Sequence, residues 1–268
     1  MTVFSSQPSA TGRRFLILLT LLLIPCSRAL AGPPFQLDDP DVIPYRWHEF
    51  YVWAGANTSP GVVNTAGPAV EFNWSLIPHT MFHFILPMGA SITSGGPTNF
   101  GLMDGEFGFQ AQFLSETDTR PMIGTFIMMG LPWGDASRGL GAGGPSWKIP
   151  LYAKKNFGAW SVNGGGGIDI NEKVPGGRNY EFGGITVNYQ LSKKWTFGPE
   201  IFAHGRESAD PALSQYAVDL DFGSYYTFNP DNPGFQLLFA YGHSIAGQPE
   251  NYAYLALYWT WGPASTAK

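Results

Sequence analysis

The stretch 251–261, Asn-Tyr-Ala-Tyr-Leu-Ala-Leu-Tyr-Trp-Thr-Trp, constrains the fold more than any other part of the chain. In an extended conformation Ala253, Leu255, Leu257, Trp259 and Trp261 share one face, while Tyr252, Tyr254, Ala256, Tyr258 and Thr260 share the other. Apolar and hydroxyl-bearing positions therefore alternate with period two, and such a strand needs an apolar medium on one side only. About ten residues is the length of a tilted strand crossing a bilayer, and the tryptophans at its end suit the headgroup level. A core strand in a soluble sandwich would show the same alternation, so the choice rests on the rest of the chain.

Beyond the N-terminus no apolar run approaches the ~18 residues that a spanning helix requires. Yet 44% of residues are hydrophobic, 15% aromatic and only 13% charged, the last about half the usual globular share. With 34 glycines added, this composition suits a barrel with lipid outside and water inside. Export is also written into the chain. Arg13 and Arg14 precede an apolar run over 15–25, and Ala29-Leu30-Ala31 supplies small residues two apart, which reads as a signal peptide cleaved after Ala31. Residues 1–31 are therefore excluded from the fold.

The single cysteine, Cys26, lies in that segment and follows Pro25, a poor match to a lipoprotein cleavage box. Without cysteine the mature chain has no disulfide, thiolate nucleophile or cysteine metal site, and no cofactor or metal site is implied. The signal carries three arginines and no acid, so its removal takes the formal charge from −5 to −8. That balance disfavours nucleic acid as a partner.

After a Pro-rich lead, 32–45, expected on the periplasmic side, alternating segments occur at 46–56, 70–76, 80–88, 106–113, 122–131, 147–154, 160–170, 180–191, 195–204, 216–228, 235–243 and 251–261. In 106–113, Phe107, Phe109, Ala111 and Phe113 oppose Glu106, Gly108, Gln110 and Gln112, as in a sheet with one greasy and one wet side. The connections alternate in length. Those at 77–79, 115–119, 155–158, 192–194 and 229–233 are short, and those at 55–68, 89–100, 132–146, 171–179, 205–215 and 244–250 are longer and rich in turn formers. A soluble sandwich has no reason to alternate in this way, whereas an outer-membrane barrel with periplasmic termini has short inner turns and long outer loops.

The sequence thus predicts an all-β fold, a transmembrane antiparallel up-and-down β-barrel of about twelve strands over 46–262, with a tail at 263–268. Its place is the cell outer membrane, where closure requires the first strand to pair with 251–261. Glycines 164–167 mark curvature or a close approach, with curvature preferred.

With the apolar face on lipid, Glu71, Asn73, His83, Glu106, Gln110, Gln112, Glu200, His204, Asp219 and Asp221 turn inward, with several tyrosines. They form either a polar path or a network that fills the lumen. Lys154, Lys155, Lys193 and Lys194 fall at the periplasmic turns, and Arg138, Lys173, Arg178 and Arg206 at the outer loops. Two sets invite an enzymatic reading as a lipid hydrolase: His204, Glu207 and Ser208, and His243 with Ser244. Neighbours on a strand face opposite ways, and neither spacing is diagnostic of a nucleophile, base and acid, so no catalytic residue is assigned.

The loop Pro132-Trp133-Gly134-Asp135-Ala136-Ser137-Arg138-Gly139-Leu140-Gly141, together with Arg178-Asn179-Tyr180, Gly242-His243-Ser244-Ile245-Ala246-Gly247 and Tyr258-Trp259-Thr260-Trp261, resembles a family of proteobacterial outer-membrane barrels labelled transporter-like or meta-pathway of phenol degradation. The likeness covers most of the mature chain and rests on glycine-rich loop features. It implies a passive channel or uptake route for small, hydrophobic or aromatic molecules, and supplies no catalytic residues. One departure is the tail at 262–268, since such barrels commonly finish on their terminal aromatic. The partners expected are outer-membrane lipids and lipopolysaccharide, the barrel-assembly machinery through the last strand, and a small-molecule solute. The alternatives are a barrel-borne lipid-modifying enzyme and a sealed structural or adhesive barrel that binds through its loops.

Overall fold

The computed structural model describes residues 33–212 and 214–263; the signal segment 1–31 and the tail beyond 263 lie outside the described residues. Thirteen strands run in chain order: β1 (His48–Ser59), β2 (Val62–Trp74), β3 (Thr80–Thr93), β4 (Thr98–Leu102), β5 (Gly105–Leu114), β6 (Met122–Leu131), β7 (Ser146–Phe157), β8 (Trp160–Ile170), β9 (Tyr180–Gln190), β10 (Trp195–His204), β11 (Ala217–Thr227), β12 (Phe235–Gly247) and β13 (Asn251–Trp261). Each pairs antiparallel with its neighbours, and β1 closes on β13 from His48 opposite Trp261 to Thr58 opposite Asn251. β4 and β5 lie end to end along β3, with Leu102 opposite Met88 and Glu106 opposite Ile85. They form one stave broken at 103–104, so the barrel has twelve staves.

Closure follows from the solvent. In hydrocarbon an unpaired backbone group costs several kcal/mol, so a strand survives only with partners on both sides. The outer wall matches that environment: Leu255, Leu257, Phe107, Ile201, Leu220 and Phe222 are exposed, while their inward neighbours Ala256, Tyr258, Gln110, Glu200, Asp219 and Asp221 are buried. Near the end that carries the turns, aromatic rings stack sideways from stave to stave. Trp74 lies on Phe72 and Phe82 at 5.4 and 5.7 Å, Phe235 on Trp259 and Phe228 at 5.0 and 4.5 Å, and His48 on Trp261 at 5.5 Å. Such a girdle sits at a membrane interface.

Turns at 75–79, 115–121, 158–159, 191–194 and 228–234 share that end with the start of β1 and the end of β13, which makes it periplasmic by the rule above. At the opposite end three connections are shorter than expected. β1 and β2 continue to a turn at 60–61, β3 and β4 to one at 94–97, and β12 runs to Gly247. Asn57, Thr58, Asn64 and Thr65 belong to these extensions. They carry no apolar alternation, so period two does not mark them as strand.

The glycines of β8 mark a close approach of neighbouring backbone. Gly165 and Gly166 lie opposite Gly184 and Gly183 of β9, and a Cβ at Gly165 or Gly166 would run into the backbone carbonyl of Leu151 or Phe182. Staves β7 to β9 approach too closely there for side chains at these positions.

Candidate functional site

The inner wall carries most of the residues that alternation turned inward. Glu71, Asn73, His83, Gln110, Glu200, His204, Asp219 and Asp221 are all at most 9% exposed. Glu106 joins them through a 3.0 Å contact from His83 Nε2. Gln112 lies apart, because β5 reaches the periplasmic rim there and its side chain binds His79 of the β2–β3 turn.

Near the periplasmic half these groups form one network. Asn73 Nδ2 donates to Glu71 (2.8 Å) and Glu49 (3.2 Å), and Tyr258 donates to Glu49 (2.8 Å). His83 Nδ1 meets Asn73 Oδ1 at 2.7 Å. With an acceptor at each nitrogen, His83 donates on both sides and joins Asn73 to Glu106.

The Pro-rich lead, expected on the periplasmic side, instead climbs the lumen. Its backbone runs through turns and bends and belongs to no strand, and the wall supplies its partners. The N–H groups of Gln36 and Leu37 donate to the two oxygens of Glu200, each at 2.9 Å. Gln36 Nε2 reaches Asp219 (3.1 Å) and Asp221 (2.9 Å). Gln110 Nε2 donates to the carbonyls of Asp39 (2.6 Å) and Asp41 (2.9 Å), Asn163 to that of Asp38 (2.9 Å), and Tyr252 to that of Pro34 (2.7 Å).

Lys154, which position alone placed with the solvated turn charges, points inward instead and is 1% exposed. It pairs with Asp39 at 2.9 Å and with Asp41. Leu37 and Ile43 pack into a cluster with Met81, Phe126, Met128, Tyr152, Phe182 and Phe202, and Phe35 lies 6.1 Å from the Tyr225 ring. Phe35 fits because Gly223 faces it, where a Cβ would lie 2.6 Å from the ring.

A segment this short holds its place in the lumen because carboxylates and amides already on the wall satisfy its backbone. The signal for it was an apolar inner face: in β6, Phe126 and Met128 face inward while Ile127 and Met129 face lipid, so something apolar had to fill the lumen beside them.

The lead divides the lumen into two cavities. The periplasmic one, about 1110 Å³, is lined by Met81, Phe126, Met128, Trp47, Glu49, Glu71, Glu106 and by Asp38 and Asp39 of the lead. The outer one, about 380 Å³, is lined by Gln36 of the lead and by Asp169, Tyr180, His204, Glu207, Asp219 and Glu250. Lys148 of β7 lines both, and its Nζ stands 5.2 Å from the centre of the Phe182 ring. Lys148, Asp169, Glu250 and the lead carboxylates escaped the sequence reading, since nothing local marks a residue as facing a segment far away in the chain.

The outer-loop motif forms a folded unit around Asp104 at the break between β4 and β5. Gly134 N and Ala142 N donate to its two oxygens at 2.8 and 2.6 Å, and a Cβ at Gly141 would strike that carboxylate. Asp135 caps a single 3₁₀ turn (Ala136–Arg138), which ends at Gly139 with φ 70°. Arg138 donates to the Phe100 carbonyl at 3.2 Å, and Leu140 is 1% exposed. The motif braces the loop against β3 and β4. In the two sets raised as catalytic, Ser208 donates to the Gly176 carbonyl and Ser244 to Asp219; among the described residues neither hydroxyl lies on a histidine nitrogen.

A closed antiparallel barrel with an apolar outside, an aromatic girdle and a polar, strapped lumen is of the outer-membrane barrel class. No protein-family model matches the sequence, and no curated protein matches it either. Solved structures do match. An outer-membrane channel from Pseudomonas putida F1 is similar with a TM-score of 0.64 at 13% identity, over 85% of this chain and 100% of its own. The translocator domain of autotransporter NalP from Neisseria meningitidis gives 0.54 at 10% identity, over 93% and 94%. The NanC porin gives 0.53 at 10% identity, over 78% and 98%. At these identities the likeness is one of fold.

Proposed function

We propose that this barrel is a passive route for small molecules across the outer membrane, with the lead as its constriction. The observation that carries the reading is the pair of cavities on either side of residues 36–38, with Lys148 in the wall of both. A barrel that served only as a scaffold has no need of a roomy periplasmic chamber lined by both methionines and carboxylates. The mixed lining favours partly apolar solutes, and the excess of acids favours neutral or cationic ones over anions. The similar Pseudomonas structure is an outer-membrane channel, and the loop motifs resemble the barrels labelled for phenol degradation, which supports aromatic molecules as cargo. Lipopolysaccharide and lipids around the girdle, and the barrel-assembly machinery acting on β13, complete the set of partners.

Single-channel recording in planar bilayers tests the proposal, using the mature protein, Glu106→Gln and a form lacking residues 32–39. The expected result is discrete conductance that changes with Glu106→Gln and grows when the lead is shortened. A folded barrel that stays silent with and without the lead overturns the route and favours a sealed barrel acting through its loops.

A further inference from the structure

At the outer mouth of the lumen three potential ligands converge from separate elements. They are His204 at the end of β10, Asp219 on β11, and Glu250 just before β13. One nitrogen of His204 and one carboxylate oxygen from each acid lie within 4.8 Å of one another. His204 is 9% and Asp219 4% exposed, so these are not loose surface acids.

The hydrogen bonds decide which histidine atom is on offer. His204 Nδ1 lies 2.9 Å from the Gly205 carbonyl, which can only accept, so Nδ1 carries the proton. Nε2 lies 3.1 Å from Glu250 Oε2, with a proton or a metal ion between the two. Two acceptors face each other unless something positive stands between them. Like His83, His204 has a carboxylate near each ring nitrogen, Glu207 at 3.6 Å from Nδ1 and Glu250 at 3.1 Å from Nε2, but at His204 a further acid, Asp219, joins the group with Glu250. Donors ~2.1 Å from a metal are ~3.0–3.4 Å apart in octahedral or tetrahedral coordination, which the His204–Glu250 spacing matches.

Each of the three is also oriented from behind. The Gly205 carbonyl holds the imidazole, Ser244 Oγ donates to Asp219 Oδ1 at 2.8 Å, and Gln248 Nε2 donates to Glu250 Oε1 at 2.7 Å. Metal-binding histidines and carboxylates are held in this way, by groups that fix the ring and aim the oxygen. The adjoining outer cavity of about 380 Å³ leaves space for water to complete the sphere. One imidazole with two carboxylates suits a first-row divalent transition ion better than the all-oxygen preference of calcium or magnesium.

We propose that His204, Asp219 and Glu250 form a binding site for a divalent transition-metal ion, such as zinc, at the outer entrance of the barrel. The ion ties β10, β11 and the start of β13 together and offsets the negative charge of the mouth. Sequence alone could not reveal it, since the ligands lie 15 and 31 positions apart with no motif spacing. The inference stands on side-chain geometry and does not depend on transport.

The test is zinc titration by calorimetry on tag-free, chelator-treated protein refolded in detergent, with the visible spectrum of added cobalt as a second readout. Heat-modifiable migration confirms that each variant is folded. Wild type is expected to bind one equivalent. His204→Gln and Glu250→Gln should each weaken binding at least about tenfold, and Ser244→Ala about tenfold through the lost support. His243→Gln, on the lipid-facing side of β12, should leave affinity unchanged. Folded wild type without saturable binding, or binding that survives both ligand substitutions, overturns the site. The first outcome would mean that a proton alone joins His204 to Glu250.

Discussion

Lys154 shows how a single residue can hold a lumen together. Its ammonium sits among Asp39 and Asp41 with 1% exposure, and removing one partner of a buried pair costs on the order of 3–5 kcal/mol. Lys154→Met should therefore lower the urea midpoint of the refolded barrel and release the lead; an unchanged midpoint would show that the lead is held elsewhere.

Glu116 makes a gentler case in the β5–β6 turn. It accepts from Lys155 Nζ at 2.6 Å and from Asn156 N at 2.8 Å. Partial burial pushes its carboxyl up, but these donors outweigh that and hold it below its ordinary value of 4.5. A lowered acid stabilises the fold fully above its ordinary value and loses that contribution as pH falls through the depressed one. The stability gap between wild type and Glu116→Gln should thus be present at neutral pH and close in acid. A gap that persists at low pH would contradict this linkage. Inward acids such as Glu71 and Glu200 were legible from period two, whereas the inward ammonium of Lys154 was not, because its partners are contributed by a segment 113 and 115 positions away.

At the scale of elements, β13 is the keystone. Eleven of its positions pair with β1 and nine with β12. Truncation at Tyr258 strips β1 of partners over His48–Tyr51, and each backbone group left bare in lipid costs several kcal/mol. The truncated protein should fail to show heat-modifiable migration, and normal migration would count against this account. β6, β8, β10 and β13 lie where alternation put them, at 122–131, 160–170, 195–204 and 251–261. The upper parts of β1 to β4 fall in stretches, 55–68 and 89–100, whose turn formers read as loops. Alternation is visible only where the two faces meet different chemistry, and Asn57, Thr58, Asn64 and Thr65 show none.

For the whole molecule, the charge of the lumen is the property that matters. Glu49, Glu71, Glu106, Glu200, Asp219 and Asp221 face inward from the wall, with Lys148 and Lys154 opposing them, and Lys154 is already spent on the lead. The reversal potential across a salt gradient should accordingly report cation preference, and anion preference would refute it. Five of these six acids are ones that alternation turns inward, Glu49 being the exception, so the sign of the lumen is legible in the sequence.

Period-two alternation, short and long connections in turn, and a chain poor in charge together determined a membrane barrel of about twelve staves with an acidic interior. Those signals are local, and the bilayer writes them residue by residue. Tertiary structure alone decided that the lead enters the lumen, that Lys154 points at it, that two cavities flank residues 36–38, and that His204, Asp219 and Glu250 meet at the mouth. These depend on which distant segments a closing cylinder brings face to face, and no periodicity records that.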